Sequence, residues 1–600
     1  MKRRYMTDFD FLLNDIEKPS RYIGNEHNIM IKDWDKTKLK VALAFPDLYE
    51  VGMSHLGFQI IYYILNRRED TLCERVFSPG IDLERKLRDK RIPLFSLETK
   101  KPLSEFDWIA FSVAYELTYT GILTILSLAN VPLFSYARTE AHPLIIVGGP
   151  SVLNPEPLAD FVDIFFIGEA EEALDRIADT YLAWKGSGRT KMELFKKLSE
   201  IQGVYIPSLY ETDYDGNNFL TIKPKYSWVP KKIEKRVINN LDKAPFPTNP
   251  ILPLQEVVHD RGVIEIMRGC QRNCRFCFAG YIYRPKRYRS IETIKRYVKE
   301  IIDSAGYEEI SLLSLSSSDY PEIEKLIDIL NSEFSSMYVN FSLPSLRADN
   351  FSLELAEKIE KVRKSGLTFA IEAGTERLRK VINKGLKEED FFKTLEIAFS
   401  KGWNRVKLYF MLGLPTETDE DIEEIVNLIK RIINLNKRVS LHLGFSVFIP
   451  KPHTPFQWEK FEKEEVIERR KSILLKGLKR RNVELDFHDY SMSYLEAIFS
   501  RGDRRLSKIL LQAWKKGSRF ESWSEYLNPN IWKETFLMED INPEQYLEGR
   551  DLNLPLPWDH ISCGVTKLYL LKEREKAYKG EETSPCEWGV SCDYCGVIHG

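Results

Sequence analysis

The chain has 600 residues, with 87 Lys plus Arg, 89 Asp plus Glu and a formal net charge of −2. Because domains usually run to about 100–200 residues, we expect three or more units. The near-zero charge excludes a molecule whose overall field gathers nucleic acid, so a polyanion would have to meet a local patch. No run approaches about 18 apolar residues, and no apolar signal segment follows the basic start, which predicts a cytosolic protein.

Apolar runs alternate with helical stretches in the first third of the chain. After a lead-in at 1–37, runs that begin at Leu39, Trp108, Leu144 and Ile164 are typical of buried parallel strands. This alternation predicts a doubly wound, Rossmann-like α/β domain over residues 38–185. Several prolines over 186–250 indicate an insert and a linker.

A second α/β unit is expected over residues 251–460. Six strand candidates separated by helical stretches predict a partial (β/α)6 barrel of the TIM type. These candidates are residues 263–267, 309–313, 337–341, 367–371, 406–410 and 443–447. Residues 461–550 are charged and predicted to be helical, and 551–600 form a tail that contains the last four cysteines.

Seven of the eight cysteines fall into two groups, at 270–277 and 563–595, which indicates ligands and not disulfides. Cys270, Cys274 and Cys277 lie in one loop after the first barrel strand, the end at which barrels place active sites. Three thiolates leave one iron of a 4Fe–4S cluster open to the amino and carboxylate groups of S-adenosylmethionine (SAM). A zinc knuckle with a fourth ligand from elsewhere is the alternative, since structural zinc takes four ligands. Cys73 is interpreted as a buried apolar side chain.

The spacing Cys-x-x-x-Cys-x-x-Cys, with the aromatic Phe276 before the last cysteine, resembles the radical SAM superfamily. The resemblance implies a 4Fe–4S cluster that cleaves SAM to a 5′-deoxyadenosyl radical. It also implies SAM contacts from Phe276 of the motif and from residues after the later strands, although the usual Gly-Gly-Glu is absent. These contacts are Phe276, Ser317, Asp319, Ser345, Arg347, Glu372, Gly413 and Leu414. Satisfied loop polar groups and a plain Gly-Pro turn are the alternatives.

Residues at the ends of the N-terminal strands resemble the cobalamin-binding domain that precedes many radical SAM enzymes. The implied contacts are Asp47, Tyr49, Gly52, His55, Gly57, Ser112, Gly148, Gly149, Gly168 and Glu169. The glycines would let a corrin approach the backbone. Because Tyr49 stands where Asp-x-His-x-x-Gly would place its histidine, a histidine lower ligand is not expected. No Gly-x-Gly-x-x-Gly follows the first strand, which excludes a nicotinamide site, and a sheet without a cofactor is the alternative.

The tail shows a second ligand spacing. Cys586, Cys592 and Cys595 are close in sequence, with Cys563 or His599 as a possible fourth ligand, and either zinc or an auxiliary iron–sulfur cluster suits thiolates. Segments around 501–523 and 557–561 resemble an uncharacterised bacterial branch of the superfamily with a cobalamin-type domain and this extension.

Basic residues surround the first cysteine motif and alternate with Tyr281, Tyr283 and Tyr288. The basic residues are Arg268, Arg272, Arg275, Arg284, Lys286, Arg287 and Arg289. This pattern suggests contact with RNA or another anionic substrate, with phosphates on the cations and bases on the tyrosines. A solvated face that tunes the cluster is the alternative.

Together these patterns predict an enzyme whose deoxyadenosyl radical takes a hydrogen atom from an unactivated carbon, with cobalamin supplying a methyl group or a related step. A methylthiotransferase-like sulfur insertion into tRNA or a ribosomal protein, using the tail cluster, is one alternative. A metal-bearing RNA-binding or scaffold protein is another. A flavodoxin or ferredoxin is the expected reductant.

Overall fold

The computed structural model describes residues 12–216, 218–344, 347, 367–586 and 594–597. Two predicted site residues, Ser345 and Cys592, and also His599, lie outside these ranges. Within the described part of the chain, every helix is too short or too polar to cross a membrane. The architecture is α/β with parallel sheets, which confirms the predicted fold class.

The N-terminal sheet has six strands in the order β2-β1-β3-β4-β5-β6, and its first five strands are parallel. The strands are β1 Leu39–Phe45, β2 Thr71–Phe77, β3 Trp108–Ser112, β4 Leu144–Gly148, β5 Ile164–Phe166 and β6 Val204–Tyr205. The helices are α1 Ser20–Ile23, α2 Tyr49–Met53, α3 Leu56–Arg67, α4 Ile81–Lys90, α5 Tyr119–Leu128, α6 Ala173–Trp184 and α7 Lys191–Ser199. The strand order reverses between β1 and β3, and in doubly wound sheets this switch point is where a ligand crevice forms.

Strand β2 was not predicted, because charged residues interrupt its apolar pattern. Glu74 and Arg75 are both buried, and both have partners outside the strand: Glu74 Oε2 accepts hydrogen bonds from Ser96 and Thr99. Arg75 forms ion pairs with Glu26 at 2.8 Å and with Glu98 at 2.7 Å. A buried charge is tolerated when it is paired in this way, so strand β2 can be buried although it contains charged residues.

Among its described residues, the second unit contains seven parallel strands in two sheets, ordered β10-β13-β14 and β15-β16-β17-β18. The strands are β10 Gly262–Glu265, β13 Glu309–Leu313, β14 Asn340–Ser342, β15 Leu367–Glu372, β16 Arg405–Leu412, β17 Ser440–Val447 and β18 Val483–Phe487. Six correspond to the predicted runs, although the third begins three residues later than expected. The seventh, β18, corrects the expectation that 461–550 is helical throughout.

Helices follow the strands of this unit and cover them. They are α8 Phe278–Ile282, α9 Ile291–Ala305, α10 Ile323–Phe334, α11 Glu376–Val381, α12 Glu388–Ser400, α13 Asp419–Leu435 and α14 Glu464–Gly477. The short strands β11 Met267–Arg268 and β12 Arg287–Tyr288 pair antiparallel and enclose the loop with the three cysteines.

The insert, the helical region and the tail connect the two units. The insert holds the hairpin β7 Tyr210–Asp215 and β8 Asn218–Pro224, and β9 Ile233–Glu234 pairs with β19 Ile561–Ser562 of the tail. The later helices are α15 Tyr490–Arg501, α16 Leu506–Lys515, α17 Pro529–Met538, α18 Glu544–Leu547 and α19 Lys567–Lys579. The domain boundaries expected from the sequence stay predictions.

Candidate active site around the cysteine loop

The three predicted cluster cysteines lie in one loop at the carboxyl end of β10. Gly269 begins this loop with a φ of +81°, and a Cβ at this position would collide with the carbonyl oxygens of Tyr283 and Pro285. Only glycine adopts this conformation without strain, so the turn into the motif depends on it. The β11–β12 pair then fixes both ends of the loop.

Backbone amides donate to two of the thiols. Arg272 N lies 3.4 Å from Cys270 Sγ, and Gly280 N lies 3.3 Å from Cys277 Sγ. Burial, together with the neighbouring Cys274 and Cys270 thiols, raises the pKa of Cys277 to about 12. The three sulfur atoms would therefore repel one another as thiolates unless cations lay between them. Iron would supply that positive charge, because a metal deprotonates the thiols that coordinate it. The donor set thus fits an iron–sulfur cluster.

Asp319, predicted to contact SAM, is held beside the same loop. Arg272 donates to both of its oxygens, at 2.6 and 3.0 Å, and Ser316 Oγ donates to it at 2.7 Å. Burial opposes ionisation of Asp319, but Arg272 outweighs this effect and keeps its pKa below the usual range. Ser317 is buried, with its hydroxyl 3.0 Å from that of Ser314, which suits a role in loop structure.

Lys384 brings together three of the predicted SAM residues. Its Nζ lies 3.1 Å from Glu372 Oε1 and 5.9 Å from the ring centre of Phe276, and its carbonyl accepts a hydrogen bond from Arg347 at 2.9 Å. Glu372 has a φ of +71°, a conformation that non-glycine residues rarely adopt and that is concentrated at functional sites. Sequence reasoning missed Lys384 because it follows a helix and not a strand.

The loop after β16 closes this site on another side. Gly413 has a φ of +88°, and its amide donates to Glu417 Oε2 at 2.6 Å. Leu414 is buried in a small apolar cluster with Ala373 and Phe448, and Phe276 packs against the same cluster. The predicted adenine loop and the aromatic residue of the cysteine motif therefore share one apolar wall.

The basic residues around the motif do not form a surface for phosphates, which corrects the RNA expectation for this cluster. Six of the seven are buried, and Arg272 is held by Asp319. Arg268 pairs with Glu171 at 2.8 Å and Arg287 with Glu169 at 2.7 Å. The others bond inward: Arg275 to Glu573, Arg284 to the Gly280 carbonyl, Lys286 to Gln271 and Arg289 to the Glu265 carbonyl. Tyr281 is fully buried, and Tyr283 and Tyr288 are half-buried.

Most of the residues predicted to hold cobalamin are engaged by the protein itself. Asp47 accepts hydrogen bonds from Trp523 at 2.9 Å and from Ser522 at 2.8 Å, and Tyr49 donates to Glu26 at 2.9 Å. His55 caps α3 by accepting from the Phe58 amide, and Glu169 pairs with Arg287 as described above.

The predicted cobalamin glycines mostly serve protein packing. A Cβ at Gly52 would collide with the Phe77 ring, one at Gly149 with the Val113 carbonyl and one at Gly168 with the Arg236 backbone, while one at Gly57 would press on the His55 ring. Gly148 is not packed tightly, since a Cβ at this position would lie 3.7 Å from its nearest neighbour, the Phe166 carbonyl oxygen. Gly148 and the half-buried Ser112 on β3 are thus the two positions still open to a ligand. The sheet topology fits a cobalamin site, but most of the predicted contact residues are engaged within the protein.

The tail lies against the cysteine loop, which the sequence did not predict. Cys586 N donates to the Gln271 carbonyl at 2.8 Å, and Cys586 Sγ lies 4.0 Å from Asn273 Oδ1. Asn273, between the first two cluster cysteines, also donates to the Ser584 carbonyl at 2.7 Å and accepts from Tyr569 at 3.1 Å. The tail is therefore bonded to the motif itself.

The other tail cysteines have separate surroundings. Cys595 is buried, and its carbonyl accepts from the Thr566 amide. Burial opposes ionisation of Cys563, but the nearby His453 and then Lys235 outweigh it and lower the pKa of Cys563 to about 7. Among the described residues, no group of three or more His, Cys, Asp or Glu side chains is arranged to bind a single metal ion.

Family models place this chain in a defined class. The model for the radical SAM superfamily matches residues 264–429, and a model for the N-terminal region of radical SAM proteins matches residues 57–207. The chain belongs to the radical SAM superfamily and is a radical SAM enzyme, with the 4Fe–4S cluster and SAM that this domain implies.

Individual relatives differ in how much they share. Uncharacterized protein MJ0966 of Methanocaldococcus jannaschii is 29% identical over 83% of this chain and 98% of its own length. The tRNA-2-methylthio-N(6)-dimethylallyladenosine synthase of Clostridium novyi is 26% identical over 41% of this chain, which spans about half (53%) of the synthase. The radical SAM methyltransferase TsrM of Kitasatospora setae, solved with cobalamin and a 4Fe–4S cluster, is 12% identical over 70% of this chain and 74% of its own, with a TM-score of 0.45.

Proposed function

We propose that Cys270, Cys274 and Cys277 hold the cluster and that SAM lies between the cysteine loop, Lys384 and the loop after β16. The observation that carries this proposal is the convergence of Phe276, Arg347 and Glu372 on Lys384. The cluster, when bound, supplies the electron that cleaves SAM to methionine and a 5′-deoxyadenosyl radical.

The side chains around the cluster have distinct roles in this proposal. Glu372 and Asp319 are carboxylates that would pair with the SAM amino group, and Arg347 would pair with its carboxylate. Phe276 and Leu414 form an apolar wall that would exclude water from the adenosyl end. The product radical then takes a hydrogen atom from an unactivated carbon of the substrate.

The proposal is tested by anaerobic reconstitution, iron analysis and an assay for 5′-deoxyadenosine with dithionite as the reductant. Cys274→Ala should lose the motif cluster and nearly all deoxyadenosine. Cys73→Ala, which removes a buried cysteine from β2, should retain both. Deoxyadenosine formation by Cys274→Ala at the wild-type rate would contradict the assignment of the cluster ligands.

We further propose C–H functionalisation of the substrate, with methylation as the form that a bound cobalamin would allow. Cobalamin supplies a methyl group when it is bound, and Ser112 and Gly148 at the switch point remain open for it. Cobalamin analysis of the purified chain tests this assignment. If the chain does not bind hydroxocobalamin added in solution, the proposal of cobalamin-dependent methylation is wrong.

Sulfur insertion into tRNA or a ribosomal protein is the second candidate, and the position of Cys586 beside Asn273 favours it. An auxiliary cluster on the tail cysteines would lie next to the first one. Cys586→Ser should then lower iron by about four per chain while the motif cluster remains. A loss of zinc without a loss of iron would instead assign a structural zinc to the tail. We propose a flavodoxin or ferredoxin as the physiological reductant.

A further inference from the structure

An open groove of about 890 Å³ lies in the helical region. Its walls come from residues 461–465, which lead into α14, from residues 490–495 at the start of α15, and from residues 527–548, which include α17. Ligand sites usually measure about 300–1,000 Å³, so the groove has the size of a binding site. None of the radical SAM residues described above lines it.

Aromatic rings form much of the wall. They belong to Phe461, Tyr490, Tyr494, Trp532 and Phe536. The Tyr490 hydroxyl donates to the Glu462 carbonyl at 2.9 Å and the Tyr494 hydroxyl to Glu544 at 3.1 Å, so the hydroxyls are engaged and the rings form the contact surface. Trp532 is buried, and its Nε1 has no hydrogen-bond partner within the part of the chain that the structure describes.

The groove is strongly acidic. Six acids line it against two lysines: Glu462, Glu464, Glu465, Asp540, Glu544 and Glu548 against Lys463 and Lys533. Four of the six carboxylates, those of Glu464, Glu465, Asp540 and Glu548, are exposed and form no ion pair with the described residues. Burial raises the pKa of Tyr490, and the neighbouring Glu464 and Glu544 carboxylates raise it further.

Carboxylates beside aromatic faces recognise organic cations, through ion pairs and cation–π contacts. The same charges repel phosphate, so the groove does not suit RNA. Leu537, on the groove wall, is 77% exposed and its neighbour Met538 is 55% exposed. A small polyamine would leave these apolar side chains in water, whereas a protein segment would cover them.

We propose that this acidic groove docks a segment of a partner protein that presents lysine or arginine side chains next to an apolar residue. The lysine or arginine side chains lie on Tyr490 and Tyr494 and pair with Glu464 and Glu465, and the apolar residue packs on Leu537. The partner thereby binds through the helical region, independently of the reaction at the cysteine loop.

The test uses the full chain and a fluorescein-labelled 12-residue peptide of Lys, Arg and Leu, with binding followed by anisotropy. Glu464→Gln with Glu465→Gln should weaken peptide binding about five- to tenfold at low salt, because two carboxylates near an aromatic wall are lost. Glu468→Gln, on the same helix but outside the groove, is the matched control. Leu537→Ser should also weaken binding.

Binding of the peptide should fall as ionic strength rises, because exposed charges are screened. The proposal is overturned if the double variant binds the peptide as wild type does. It is also overturned if spermine binds and competes as well as the peptide does, or if a poly-uridine oligonucleotide binds and is weakened by the same variants. Deoxyadenosine formation by each variant should stay at the wild-type level.

Discussion

At the scale of single residues, the side chains that could have served a corrin are bonded within the protein. His55 shows this best, because it stands at the switch point of the N-terminal sheet and yet accepts the Phe58 amide at the start of α3. Its ring also lies 5.5 Å from that of Phe45. Burial lowers the pKa of His55 to about 4, so the imidazole is neutral at physiological pH and acts as a helix cap.

This environment predicts a pH dependence of stability. The unfolded chain binds a proton at His55 below about pH 6.5, but the folded chain does not until about pH 4, so stability is present above pH 6.5 and is lost as pH falls between these values. Because the side chain keeps some solvent contact, we expect a loss of about 1–2 kcal/mol. His55→Asn keeps the cap and removes the titration.

Denaturant unfolding of wild type and His55→Asn at pH 7 and pH 5 measures the effect. The variant should lose less stability than wild type between the two pH values. Equal losses in both proteins would show that His55 does not titrate in this way.

At the scale of elements, the tail helix α19 and the segment after it hold the cysteine loop in place. Asn383 donates to the Asn273 carbonyl at 3.1 Å and to the Thr583 carbonyl at 3.0 Å, which links the loop to the tail. Arg275, between two cluster cysteines, pairs with Glu573 of α19 at 3.2 Å, and both side chains are fully buried. Arg275 also donates to the Glu581 carbonyl at 2.7 Å.

Removing one partner of this buried pair should be costly. Glu573→Gln leaves the Arg275 charge without its carboxylate, and such changes cost about 3–5 kcal/mol. Glu575→Gln, on the exposed side of the same helix, removes only a surface pair with Lys579 and should cost less than about 1 kcal/mol. We expect Glu573→Gln also to retain less iron after desalting.

Urea unfolding of both variants and iron analysis after reconstitution check this prediction. Similar stability of the two variants would contradict a role for α19 in supporting the loop.

The sequence predicted elements where an apolar run matched a buried strand, as in β1, β3 and β16. It missed β2, where Arg75 forms ion pairs and Glu74 forms hydrogen bonds with residues distant in sequence, and β18, whose Glu484 and Asp486 face outward at the edge of a sheet. The cysteine motif was recognisable from local spacing alone.

The remainder of the site depends on long-range contacts. Lys384 meets Phe276 across 108 positions, and Asn273 meets Ser584 across 311. Neither Lys384 nor Ser584 belongs to a local pattern that a single sequence displays. The basic residues around the motif led to a wrong prediction of an RNA contact. Their spacing is visible in the local sequence, but the acids that pair with Arg268 and Arg287 come from the N-terminal domain.

At the scale of the whole molecule, the helical region joins both α/β units through buried charge. Lys451, after the last strand of the second unit's predicted barrel, lies 2.8 Å from Glu116 of the N-terminal domain and 2.7 Å from Glu496 of α15. It also donates to Ser500 at 2.8 Å. Burial opposes the charge on Lys451, but Glu116 and Glu496 outweigh this and raise its pKa. One ammonium group thus connects three parts of the chain.

Lys451→Met keeps the volume but leaves two carboxylates facing each other, so we expect a loss of about 3–5 kcal/mol at pH 7. In the folded variant at least one carboxyl pKa should rise above its unfolded value, because burial and the like charge disfavour ionisation. Stability should therefore be partly recovered as pH falls from 7 to 5, opposite in sign to the His55 effect. Lys460→Met, whose lysine is exposed and pairs with Glu462 at the surface, controls for loss of a surface charge. Unfolding in urea at both pH values tests this prediction: a loss that does not shrink at pH 5 would mean that Lys451 does not hold Glu116 and Glu496 together.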